Sequence, residues 1–159
     1  MVESIEALQA LYPKPSASSA HKSVAELNKK MITKIEQSSL CVIASFGPQG
    51  VDCSPRGDAP GKLVKVLDNH TLAIADRPGS NRLDTAKNVI TNGKIGAWFL
   101  SSEWEESVRV AGNAHISTDV QLIKRFELDQ TLPVTVLVIQ VTQVAIHNDR
   151  AVKFSGLLV

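Results

Sequence analysis

Residues 71–100 read TLAIADRPGSNRLDTAKNVITNGKIGAWFL. Thr71–Ala75 is short, apolar and bounded by turn residues, so it reads as a strand. Ala75–Asp84 (ADRPGSNRLD) breaks that pattern with a Pro-Gly pair set between Arg77 and Arg82. A helix of roughly Arg82–Asn92 leads out of the turn. Asn92-Gly93 ends it, because glycine enters the left-handed region without penalty. Lys94–Leu100 (KIGAWFL) then returns as a buried strand. The first N–H groups of a helix have no partner inside it and carry partial positive charge. A strand, a basic turn and a helix start in succession therefore make a place to hold an anion. Ser80 and Asn81 stand where an N-cap is expected, able to bond N–H groups or a ligand oxygen.

The rest of the chain builds outward from this stretch. Leu40–Phe46 and Val51–Ser54 read as strands of a hairpin turned at Gly47–Gly50. Ser54–Gly61 (SPRGDAPG) reads as a second basic, Gly/Pro-rich turn that closes over the same ligand. Leu63–Leu67 pairs naturally with Thr71–Ala75 through Asp68-Asn69-His70. Val108–Ile116 is a strand in which Gly112 invites a bulge. Thr118 or Asp119 caps a helix of about Val120–Leu128, and Thr135–Ile146 is the longest strand. On the N-terminal side, Ser4 caps a short helix to Leu11, and Lys14–Ser19 is a polar linker. An amphipathic helix is expected over about Ala20–Gln37, with Val24, Leu27, Met31 and Ile35 on its apolar face. Ala151–Val159 is a tail suited to a last helical turn or an edge strand. The sum is six or seven strands, antiparallel where turns are short. The fold class is mainly β with flanking helices, in a closed or nearly closed barrel that removes most free edges.

The 159 residues fit a single domain, with residues 1–37 as a helical extension packed on it. Lys plus Arg number 17 and Asp plus Glu 16, so no global field points to nucleic acid or membrane. Aromatics make up 4%, too few for a base-stacking platform. No signal pattern or membrane-length apolar run stands in the sequence, and the expected compartment is the cytoplasm. Cys41 and Cys53 fit no zinc or redox spacing and read as two buried, reduced thiols. His21, His70, His115 and His147 are scattered, with no metal-ligand spacing and no hydrolase elbow, so no catalytic side chain and no metal site is assigned. No Gly-rich nucleotide loop occurs either.

What remains is a phosphate grip built from Arg56, Arg77 and Arg82, whose planar forks suit phosphate oxygens. The competing reading has Arg77 and Arg82 in surface pairs with Asp76 and Asp84. Two strings favour the grip. Ser54–Asp58 (SPRGD) and Asp76–Asp84 (DRPGSNRLD), with VRVAGNAHIS further on, resemble the pyridoxamine 5'-phosphate oxidase-like superfamily of flavin-binding split barrels. They are most similar to an FMN-dependent subgroup carrying S-P-R-G-D and D-R-P-G-x-N-R-L-D.

The resemblance implies a six-stranded antiparallel split β-barrel and a homodimer with FMN at the subunit interface. It implies FMN contacts from Ser54, Pro55, Arg56, Gly57, Asp58, Ala75, Asp76, Arg77, Ser80, Asn81 and Arg82. The oxidase itself places a glutamine near the position of Ser107, and ends in a substrate-binding segment unlike AVKFSGLLV here. A substrate other than a vitamin B6 compound is therefore expected. The function expected is FMN-dependent oxidoreduction on an unassigned small molecule. The alternatives are a non-catalytic flavin-nucleotide binding, storage or sensing protein, and a deazaflavin-dependent reductase. Haem ranks below these, because no histidine sits in a convincing ligating motif.

Overall fold

In a computed structural model, residues 1–14, 16, 23–59, 61–101 and 105–148 are described. Seven strands form one antiparallel sheet: β1 (Leu40–Gly47), β2 (Gly50–Gly57), β3 (Val64–Asp68), β4 (Thr71–Asp76), β5 (Lys94–Leu100), β6 (Glu106–Ser117) and β7 (Thr135–Asn148). Their order is β2-β1-β5-β6-β7-β4-β3. The count is seven where the resemblance implied six. The helices are α1 (Ile5–Gln9), α2 (Lys29–Glu36), α3 (Asp84–Asn92) and α4 (Val120–Lys124). No helix among the described residues is long and apolar enough to cross a membrane.

The sheet curls around one core. Ile43 of β1, Val64 of β3, Leu72 and Ile74 of β4, Phe99 of β5 and Ile139 of β7 are buried together, although they come from opposite ends of the strand order. On the other face of β4 and β7, Ala73, Ala75, Val136 and Val138 pack under Phe126 just beyond α4. Burial on both faces explains why β4 reads as a continuous apolar run rather than an alternating one.

Several local expectations are met. Ser4 caps α1 by accepting from the Ala7 N–H at 3.0 Å, and Asp119 caps α4 by accepting from Leu122 N–H at 2.7 Å. Gly93 closes α3 at φ 73. The β6–β7 register shifts between Ala111 and Gly112, which is the expected bulge.

Others are corrected. The helix expected over Ala20–Gln37 begins only after Asn28, whose side chain accepts from Met31 N–H at 3.0 Å. Upstream, Val24 exchanges two backbone hydrogen bonds with Val144, at 2.9 and 2.8 Å, so its peptide groups serve β7 instead. Ser54–Gly57 is not a turn. It continues β2, with Ser54 opposite Ile43 and Arg56 opposite Cys41. Pro55 is tolerated there because β2 is the sheet edge and needs no second ladder. Cys41 is buried but Cys53 is exposed on the outer side of β2. Most of the polar linker, and the tail Ala151–Val159, lie outside the described residues.

Two outcomes follow. A Cβ at Gly112 would lie 2.2 Å from the Gln140 carbonyl oxygen, across a backbone that cannot yield. Gly112→Ala should cost at least ~1–3 kcal/mol in urea unfolding. Glu106 is held below the ordinary carboxylate range, first by its hydrogen bond from Lys30 and then by that from Lys34, both on α2. A carboxylate with a depressed folded pKa stabilises at neutral pH and loses that contribution as pH falls through it. The stability gap between wild type and Glu106→Gln should therefore be full above about pH 5 and close on further acidification; thermal melts across pH read it.

Candidate functional site

β2 ends and β4 ends at the same mouth of the barrel. No ladder joins the two sheet edges, β2 and β3. Beside that gap, side chains tie the end of β2 to the end of β4, the strand next to β3. Arg56 of β2 pairs through Nη1 with Asp76 Oδ1 at the end of β4. Asp76 Oδ2 also accepts from Thr135 Oγ1 at 3.3 Å. Just past these residues the polarity is reversed: Arg77 Nε donates to Asp58 Oδ2 at 2.5 Å. All four side chains are partly or largely buried. Arg77 Nη2 further donates to the Phe126 carbonyl at 3.0 Å, and Asp58 Oδ1 accepts from Ala59 N–H at 2.8 Å.

Thus Arg56, Asp58, Asp76 and Arg77 are brought together as the sequence suggested, but paired crosswise. The surface pair Arg77–Asp76 of the competing reading is replaced by Arg77–Asp58, nineteen positions apart in the chain. Arg82 does pair with Asp84, Nε to Oδ2 at 2.8 Å, and stays 78% exposed. Ser54 and Arg56 share the partly buried face of β2, while Pro55 and Gly57 face outward. Ala75 is buried beside Arg56 and Asp76 at a small cavity between Ile43, Ile74 and Thr85.

The turn between β4 and α3 holds the remaining candidates. Ser80, Asn81 and Arg82 are exposed. Neither Ser80 nor Asn81 is the N-cap. That position belongs to Leu83, at φ 61, and no side chain caps the helix. Asn81 is also left-handed, at φ 57. Asparagine visits this region readily, whereas leucine does so at a cost of about 1–2 kcal/mol. The consequence is a helix start whose first N–H groups carry no side-chain acceptor, next to an exposed arginine. Lys87, which the sequence reading passed over, adds its Nζ to this corner by donating to the Arg82 carbonyl at 2.8 Å. Its signal was its place in the first turn of the helix, on the side of Asp84.

α3 is fixed to the hairpin beneath it. Thr85 Oγ1 donates to Asp52 Oδ2 at 3.1 Å, and Asn88 Nδ2 to Ser45 Oγ at 3.0 Å. Gly47 is needed for this approach, since a Cβ there would overlap Asn88. Burial pushes the Cys41 thiol up to about 12. Among the described residues, no three His, Cys, Asp or Glu side chains gather into a metal-binding group.

An antiparallel barrel split along one seam, with a basic strand–turn–helix corner at its mouth, defines a split-barrel protein. The sequence profile of the pyridoxamine 5'-phosphate oxidase family matches residues 27–148, and the chain belongs to that family. Its fold is similar to that of HupZ from Group A Streptococcus, at 19% identity, TM-score 0.59, covering 74% of this chain and 92% of that one. It is also similar to general stress protein 26 from Bacillus anthracis, at 17% identity and TM-score 0.57, covering 77% and 95%. A third similar fold is a general stress protein 26-related protein of the pyridoxinephosphate oxidase family from Clostridium acetobutylicum, at 12% identity and TM-score 0.53, covering 77% and 91%. No curated protein matches the sequence significantly.

The crossed pairs give a prediction. Asp76→Asn removes the charge that answers Arg56 in a largely desolvated setting, and should destabilise the fold by about 1–3 kcal/mol. Asp84→Asn breaks only an exposed pair and should cost at most ~1 kcal/mol. Parallel urea titrations compare the two.

Proposed function

We propose that this protein binds FMN at the barrel mouth and works as an FMN-dependent oxidoreductase in a homodimer. The family commonly binds flavin, which sets the ligand class. The observation that carries the reading to FMN is the uncapped start of α3 beside exposed Ser80, Asn81 and Arg82. Free helix N–H groups, a hydroxyl, an amide and a guanidinium form a donor set with the chemistry a phosphate requires.

The β2 stretch 54–58 fits the rest of the cofactor. As an edge strand it has backbone N–H and C=O groups that β1 does not use. These would face the polar rim of the flavin ring, while Ala75 and Asp76 border the same mouth. Bound FMN supplies hydride and single-electron transfer. The residues of this chain would anchor its phosphate, orient its ring and keep one ring face open to substrate.

The homodimer is supported by a bare sheet face. Ala44, Gly96 and Ala111 lie side by side across β1, β5 and β6. With Trp98 and Arg109 they line an open hollow of about 370 Å³. Small side chains in register let another surface approach closely.

Two measurements test this. The visible spectrum of the purified protein should show twin flavin bands, and mass spectrometry of the heat-released cofactor should give FMN. A deazaflavin mass would replace the cofactor, and a colourless protein that takes up no added FMN would sink the assignment. Light scattering of the loaded protein should give twice the chain mass; a monomer would exclude the shared site. Steady reduction of the bound flavin by NADH or NADPH would separate an enzyme from a flavin carrier.

A further inference from the structure

We propose that the two arginines of the DRPGSNR turn divide their work: Arg82 reads the cofactor phosphate, and Arg77 is a strut that positions the turn. This rests on the FMN reading above and deepens it. The two residues are five apart and chemically identical, yet their surroundings differ. Arg77 has each nitrogen engaged or covered. Nε faces Asp58 at 2.5 Å, Nη2 faces the Phe126 carbonyl at 3.0 Å, and Nη1 is shielded from solvent. An anion reaches Nε or Nη2 only by displacing a partner, and Nη1, although unpaired, is closed off from solvent. Those partners are themselves fixed, because Asp58 is 9% exposed with its other oxygen on Ala59 N–H, and Phe126 is fully buried.

Arg82 has one exposed partner, Asp84, and a side chain open to water. Exposed pairs of this kind hold by only about 0.2–1 kcal/mol, so a phosphate can take Arg82 from Asp84 at little cost. Arg77, by contrast, ties three separate pieces of chain together: the end of the SPRGD stretch, the start of the turn, and the segment after α4. It acts on the cofactor through the placement of the turn, without touching the phosphate.

The test compares FMN with riboflavin, which lacks the phosphate, on the full-length protein. Arg82→Ala should weaken FMN about tenfold or more while leaving riboflavin within about twofold, the loss of one charge-assisted contact. Arg77→Ala should weaken both flavins by the same factor. Arg77→Lys should not rescue, because one ammonium cannot span Asp58 and the Phe126 carbonyl as the planar fork does. Val144→Ala, a core truncation on β7 away from the turn, serves as a control for lost stability and should keep both affinities. Selective loss of FMN in Arg77→Ala would overturn the strut and make Arg77 a ligand. Equal losses in Val144→Ala would reduce its effect to general destabilisation and overturn positioning. A wild-type chain that takes up neither flavin overturns the FMN reading and the positioning role with it. The strut itself is read separately, by an Asp58→Ala/Arg77→Ala double-mutant cycle on unfolding. A coupling clearly above zero supports it, and additive effects refute it.

Discussion

The structure depends on how a seven-stranded sheet closes without a last ladder. β2 and β3 are its edges, and no ladder pairs them. Two guanidinium–carboxylate pairs, Arg56–Asp76 and Arg77–Asp58, instead tie the end of β2 to the end of β4, the neighbour of β3. A ladder fixes two strands along their length. Two side-chain pairs fix β2 to β4 at a single point and leave the rest of the seam split. The arrangement is not tuned for stability alone. Arg56 Nε and Arg77 Nη1 are buried without a partner among the described residues, and each such donor costs about 1–3 kcal/mol. What the pairs secure is direction: guanidinium forks specify angle as well as distance.

From that fixed point the turn into α3 is thrown outward. Asp76 is held by Arg56 and Thr135, and its carbonyl accepts from Val134 N–H at 3.1 Å. Arg77 is held by Asp58 and Phe126. The chain then runs exposed for a few residues and enters α3 through Leu83, left-handed and half exposed. Burial does not compensate that backbone cost. The hold comes from α3 itself, where Lys87 N–H donates to the Leu83 carbonyl at 2.8 Å, and from the anchoring of Thr85 and Asn88 on the hairpin. The helix is thus docked by its sides while its N-terminal N–H groups stay open.

Much of this was legible in the sequence, and the failures have physical causes. Apolar runs and Gly/Pro punctuation locate all seven strands, and β5 falls where the residues put it. Gly93 and Gly112 were readable from conformational freedom alone. The long N-terminal helix was not. Val24 keeps helical spacing with Leu27, Met31 and Ile35, and only its tertiary pairing with Val144 removes it from the helix. Ser54–Gly57 carries turn residues and is nonetheless strand, since an edge position relaxes the usual objection to proline. The site motifs were visible as composition. Their pairing was not: Asp76 adjoins Arg77 in sequence, and only the closed seam brings Asp58 nearer.

Charge balance explains why such a site must be local. The chain carries a formal net charge of +1, and the three arginines of the mouth face the three carboxylates Asp58, Asp76 and Asp84. An anion approaching it meets no strong field until it is within reach of a group that can change partners. Exposure decides which group that is, so under the proposed reading the covered Arg77 serves as latch and the open Arg82 as reader. The two roles are interleaved within one short turn. A change that loosened Arg77 enough to meet an anion would also unfasten the seam that presents Arg82. This mutual dependence gives the paired motifs a physical reason to occur together.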